Sequence, residues 1–120
     1  MSDNKIIVTV TITGETEQPI FSFSPPEVTA QQQKTKVVYQ LDKQNNLGLI
    51  FAGAIFPIQN QQPSTIGQDI TSFKVKNSGQ QITITDDNKN PGTIGLKLVL
   101  ADIHGHLFVT QDPQIKNEPK

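Results

Sequence analysis

Residues 5–13 read KIIVTVTIT, and every residue after Lys5 is β-branched. Branching at Cβ restricts χ1 and suits a pleated strand better than a helix, so this stretch is committed to extended backbone. The alternation is strict: Ile6, Val8, Val10 and Ile12 share one face, and Ile7, Thr9, Thr11 and Thr13 the other. Period two with one richer apolar side predicts a half-buried strand, ended by Gly14. Such a strand cannot stand alone, and the rest of the chain has to supply its partners.

The remainder reads the same way. IFSFS (20–24) alternates and is stopped by Pro25-Pro26, a pair that no sheet ladder accommodates. A polar run at Gln31 to Gln33 leads into KTKVVYQL (34–41), and DKQNN (42–46) is a loop. LGLIFAGAIF (47–56) is apolar on both faces. Its Phe and β-branched content and the following Pro57 favour a buried strand with a kink or bulge at Gly53 over a helix. Residues 59–68 form a long Gln/Pro/Ser loop, and DITSFKV (69–75) and QQITIT (80–85) flank the hairpin signal KNSG. DDNKNPG (86–92) is a turn-rich loop, Thr93 to Ile103 is the longest late strand, and His104-Gly105 is a tight turn before HLFVT (106–110). About eight short strands at roughly ten-residue spacing predict an all-β fold, an antiparallel β-sandwich or small barrel. The organisation expected is one β domain over residues 1–110 and a C-terminal tail over 111–120.

Composition narrows the functions open to this domain. Cysteine is absent, which removes disulfides, thiolate metal sites and thiol nucleophiles. The N-terminus has no apolar signal region, and the most apolar segment, Leu47 to Ile58, is too short and too broken by Gly and Pro to span a membrane. The simplest reading is a cytoplasmic protein of bacterial type. The net charge is −1 and all ten basic residues are Lys. Without Arg, and with a single Tyr, the chain lacks the equipment of a nucleic-acid binder, and without Trp it has few platforms for a sugar.

Chemically suggestive groups each have a plainer reading. Asp102, His104 and His106 would share one face of a continuous strand and could hold a metal ion. A turn at His104-Gly105 breaks that alternation, so the three side chains are expected to diverge and no metal is assigned. Asp86, Asn88 and Asn90 resemble the opening of a calcium loop, which fails at Pro91 and Lys97. Asp42, Asp69, Asp86 and Asp87 could supply a carboxylate pair, but no Asp-Thr-Gly segment is present and each reads as a solvated loop charge. No Gly-rich phosphate loop appears, so no cofactor is expected. Lys97 interrupts the apolar strand 96–100. Alternation turns it outward between Leu96 and Leu98, and partial desolvation would make it available for proton transfer.

The most distinctive feature is the C-terminal QDPQIKNEP (111–119), with Asp112-Pro113 and Glu118-Pro119. Here, and in its length and all-β pattern, the chain resembles the small bacterial DP-EP family. The resemblance implies a small β-barrel or sandwich with a self-cleaving, aspartic-peptidase-like activity at the Asp-Pro bond. The chemistry is coherent: the Asp112 carboxyl can close a five-membered ring on its own carbonyl carbon, with the Pro113 nitrogen leaving. Lys97 is the first candidate proton donor, and Asp42 or Asp102 the candidate second carboxyl of a water-mediated route. The substrate expected is the chain's own tail. The rival expectation is a non-enzymatic binding or assembly module, in which the tail docks through Ile115 on a neighbour's sheet edge and forms a homo-oligomer.

Overall fold

The computed structural model describes residues 5–56, 66–111 and 113–119. Most of the expected 59–68 loop, together with Asp112 and Lys120, lies outside the described residues. The strands are β1 (Lys5–Glu15), β2 (Gln18–Ser24), β3 (Val28–Ala30), β4 (Thr35–Leu41), β5 (Ile50–Ile55), β6 (Ile70–Lys76), β7 (Gln81–Asp86), β8 (Gly92–Gly95), β9 (Lys97–Ala101), β10 (Leu107–Val109) and β11 (Gln114–Asn117). A short 3-10 turn, Ile66–Asp69, precedes β6. The fold is all-β and sandwich-like, without a closed barrel: one five-stranded sheet, ordered β2-β1-β4-β7-β6, and two three-stranded sheets, β10-β9-β5 and β3-β11-β8.

One core unites the three sheets. It gathers Val8, Val10 and Ile12 of β1, Tyr39 of β4, Ile84 of β7, Phe51 of β5, Leu98 and Leu100 of β9, Ile94 of β8 and Ile115 of β11. The face expected of β1 is the buried one, and Ile7 on the opposite face is exposed. The hairpin at KNSG is present, with Asn77, Ser78 and Gly79 all at positive φ. Gly79 is needed there twice over. A Cβ on it would lie 2.6 Å from the Ile50 Cβ, and its carbonyl accepts the Phe51 N–H at 2.8 Å, tying the β6–β7 turn to β5. The bulge expected at Gly53 is a register shift between Phe51 and Gly53 against β9.

Three differences from the sequence reading matter for function. The five-stranded sheet is mixed, because β1 pairs parallel with β4, and β11 pairs parallel with β3. Periodicity reports which face is buried and carries no information about a partner's direction. Thr93 to Ile103 is two strands, since the pairing partner changes at Leu96: β8 pairs with β11, and β9 pairs with β5 and β10. Finally, the segment beyond residue 110 does not stand apart from the domain. β11 is the middle strand of its sheet, with Ile115 fully buried.

Tyr39 is buried in β4 with its ring edge-on to Phe23 at 6.2 Å, and its hydroxyl has no hydrogen-bond partner among the described residues. Burial pushes its pKa above the usual tyrosine value. An unsatisfied buried hydroxyl costs about 1–3 kcal/mol. Tyr39→Phe is therefore expected to unfold at an equal or higher temperature, by up to about 2 kcal/mol of stability. A midpoint lowered by several degrees in thermal denaturation would show that the hydroxyl is used.

Candidate functional site

The chain on either side of Asp112 is pinned to the short piece 96–98 at the start of β9. Inward-facing Ile94, Leu96, Leu98 and Leu100 alternate through β8 and β9, and this places the backbone of Leu96 and Leu98 alongside the tail. The Thr110 N–H donates to the Leu98 carbonyl at 3.0 Å, and the Leu98 N–H donates to Thr110 Oγ1 at 2.9 Å. After Asp112, the Leu96 N–H donates to the Pro113 carbonyl at 3.2 Å, and Pro113 is buried. Lys97 lies between these two anchors, half-buried, on the strand face opposite Leu96 and Leu98. Of the residues proposed from sequence, Pro113 is thus bonded through its carbonyl to Leu96, the residue that precedes Lys97. Asp112 is outside the described residues.

Asp42 and Asp102 are not brought to this place. Asp42 closes its own loop: its Oδ1 accepts the Gln44 N–H at 2.9 Å, while Oδ2 faces Thr11 Oγ1 and Asn45 Nδ2. The Gln44 N–H holds its pKa below the usual carboxylate value. Asp42 borders an open groove of about 720 Å³ with Thr9, Gln40, Asn77 and Gln81. Asp102 organises the β9–β10 turn, where its Oδ1 accepts the His104 and His106 N–H groups, both at 2.9 Å. Partial burial raises its pKa, and the donors of His106 and His104 outweigh this and leave it lowered. About 16 Å of strand separates it from Lys97.

The expected turn at His104-Gly105 is present, with Gly105 at φ 83°. The side chains diverge less than the turn suggested: His106 Nδ1 lies 3.0 Å from Asp102 Oδ2, and the two imidazole centroids are 6.1 Å apart. Among the described residues, no group of three or more His, Asp or Glu side chains is arranged to hold a metal ion.

The larger correction concerns Asp69 and Asp86, which read as solvated loop charges. They are 3% and 0% exposed, and the C-terminal strand reaches both. Asp69 Oδ2 accepts the Lys89 and Asn90 N–H groups at 2.9 Å and Asn117 Nδ2 at 3.0 Å, and Oδ1 accepts Asn90 Nδ2 at 2.8 Å. Asn117 Nδ2 also stands 3.4 Å from Asp86 Oδ1, which accepts the Asn88 N–H at 2.9 Å. Asn88, in turn, donates from Nδ2 to the Ala30 carbonyl at 2.9 Å. The signal for this burial was present: Asp86 continues the inward register of Ile82 and Ile84, and Asn117 that of Ile115. The calcium-like spacing of Asp86, Asn88 and Asn90 is therefore a knot of internal hydrogen bonds.

Burial pushes the Asp86 carboxyl up to about 6, against the opposing hydrogen bonds from Asn88 and Asn117 and with smaller repulsion from Asp69 and Asp87. Among the described residues its Oδ2 is buried without a partner, as are Asn88 Oδ1 and Asn117 Oδ1. Protonation of Asp86 would supply one donor among these acceptors.

Comparison with known families is consistent with the C-terminal motif. The model of the DP-EP family matches residues 4–119, nearly the whole chain. No curated protein matches it.

A raised carboxyl pKa stabilises the fold at pH values below the unfolded-state pKa, and that contribution is lost as pH rises through the folded-state value of about 6. Asp86→Asn mimics the neutral acid. It is expected to resemble the parent near pH 4 and to exceed it in thermal stability at pH 7, with the gap opening across that interval. A difference independent of pH would remove Asp86 as the titrating group.

Proposed function

This chain belongs to the DP-EP family, and we propose that it is a cytoplasmic self-cleaving protein that cuts its own backbone between Asp112 and Pro113. The observation that carries the reading is the pair of anchors described above. Leu98 holds Thr110 and Leu96 holds Pro113, so the candidate scissile bond lies in a span fixed at both ends, with Lys97 between the anchors. Fixing the reacting groups lowers the entropy cost of an intramolecular attack.

In the proposed reaction the Asp112 carboxylate attacks its own main-chain carbonyl carbon and closes a five-membered cyclic anhydride. The bond to the Pro113 nitrogen breaks, and that nitrogen takes a proton, for which Lys97 is the candidate donor. Water then opens the anhydride and restores both carboxyl groups. This route needs no second carboxyl. That suits the geometry, since Asp42 and Asp102 are engaged in their own loops.

Intact mass under denaturing conditions, followed over incubation at mildly acidic to neutral pH, tests the proposal. The parent is expected to split into residues 1–112 and 113–120, and Asp112→Ala to remain whole. Lys97→Met is expected to slow the split by roughly 10²-fold or more, the usual contribution of a positioned general acid. Continued cutting of Asp112→Ala at the parental rate would refute the mechanism.

A further inference from the structure

A strand in the middle of a sheet is held from both sides, and β11 is such a strand although it is the last in chain order among those described. On one side Ile115, Lys116 and Asn117 pair in parallel with Val28, Thr29 and Ala30. On the other, Gln114 to Asn117 pair antiparallel with Gly95 to Gly92. The ladder continues past the strand at both ends, through Leu96 N–H to the Pro113 carbonyl and Glu118 N–H to the Ala30 carbonyl at 2.8 Å.

Side chains give the slot a sequence preference. Pro113, Ile115 and Asn117 are buried, and Gln114, Lys116 and Glu118 are exposed. Ile115 enters the core cluster that contains Val28, Ala30 and Ile94. Asn117 presents an amide to two buried carboxyls, where a carboxylate would meet like charge. Backbone pairing for affinity and alternate side-chain pockets for specificity are the two components of peptide recognition by strand addition.

All of these contacts lie on the C-terminal side of the Asp112–Pro113 bond. We infer that the slot between β3 and β8 is a peptide-binding site whose ligand is the chain's own Pro113–Lys120 segment, retained without a covalent link once the chain is cut. The inference stands on the sheet alone and does not depend on which agent cuts the bond. Its expected consequence is that scission leaves the native particle whole while creating a ligand that a free copy of the same peptide can replace.

The test uses the full chain carrying Asp112→Ala and a site-specific protease sequence inserted before Pro113, which removes self-cleavage from the outcome. After digestion, denaturing mass spectrometry is expected to show two pieces and native mass spectrometry one. A sample that resists digestion is cut while unfolded, refolded by dilution and read in the same way. Adding isotope-labelled Pro113–Lys120 peptide is expected to replace the resident segment over time. Labelled peptides carrying Ile115→Asp or Asn117→Asp are expected to fill the slot at least roughly tenfold less well, the cost of an unpaired buried polar group or charge. Because these changes are made in the peptide, the folding of the larger piece is not in question. Loss of the segment from the native particle on cutting would overturn the inference. Equal filling by the Ile115→Asp peptide would do the same.

Discussion

The Asp69 carboxylate is the joint at which the fold closes. It collects donors from the turn after β7 and from the last strand, while its own backbone carbonyl accepts the Asp87 N–H at 2.7 Å. A buried carboxylate is tolerable only when its oxygens are hydrogen-bonded, and Asp69 has four such bonds among the described residues. Asn117 contributes one of them and extends towards Asp86. The C-terminal strand is thereby fixed by polar chemistry at one end and by the contacts of Pro113 with Leu96 and Thr110 with Leu98 at the other. Position of the Asp-Pro span and closure of the core are two results of the same arrangement.

Much of the fold was legible because strand physics is local. The β-branched alternation of residues 5–13 identified the inward face of β1, and glycine and turn residues marked the hairpins at 76–79 and 104–105 and the bulge at Gly53. Pairing was not legible. Nothing in a period-two pattern distinguishes a parallel neighbour from an antiparallel one, so the β1–β4 and β3–β11 pairs could not be read from it. The tail's place was open for a related reason. Two Pro residues and one Ile do not say which strands receive them, and Ile115 is completely buried because strands distant in sequence provide its surroundings.

The candidate site divides along the same line. Lys97 and Pro113 were visible as an odd cation in an apolar strand and as half of a distinctive dipeptide, and the fold brings their neighbourhoods together through Leu96. Asp86 was passed over because DDNKN (86–90) looks like an exposed turn, and Asp69 because it follows a Gln/Pro/Ser loop. Carrying the alternation of Ile82 and Ile84 one step further would have put Asp86 inside. Asp69 gave no comparable sign, since its burial depends on an asparagine 48 residues away.

The central place of β11 also dictates when the molecule can be finished. A ribosome makes β11 after every other described strand, and a folding domain cannot recruit residues still enclosed in the exit tunnel. Strands β3 and β8 are both made before β11, but they do not pair with each other and have no sheet until it arrives. Their inward residues, Val28, Ala30 and Ile94, must wait for Ile115, and non-local pairing of this kind is slow and exposes apolar surface meanwhile. Each newly made copy therefore completes its core only after β11 has been made and has left the tunnel.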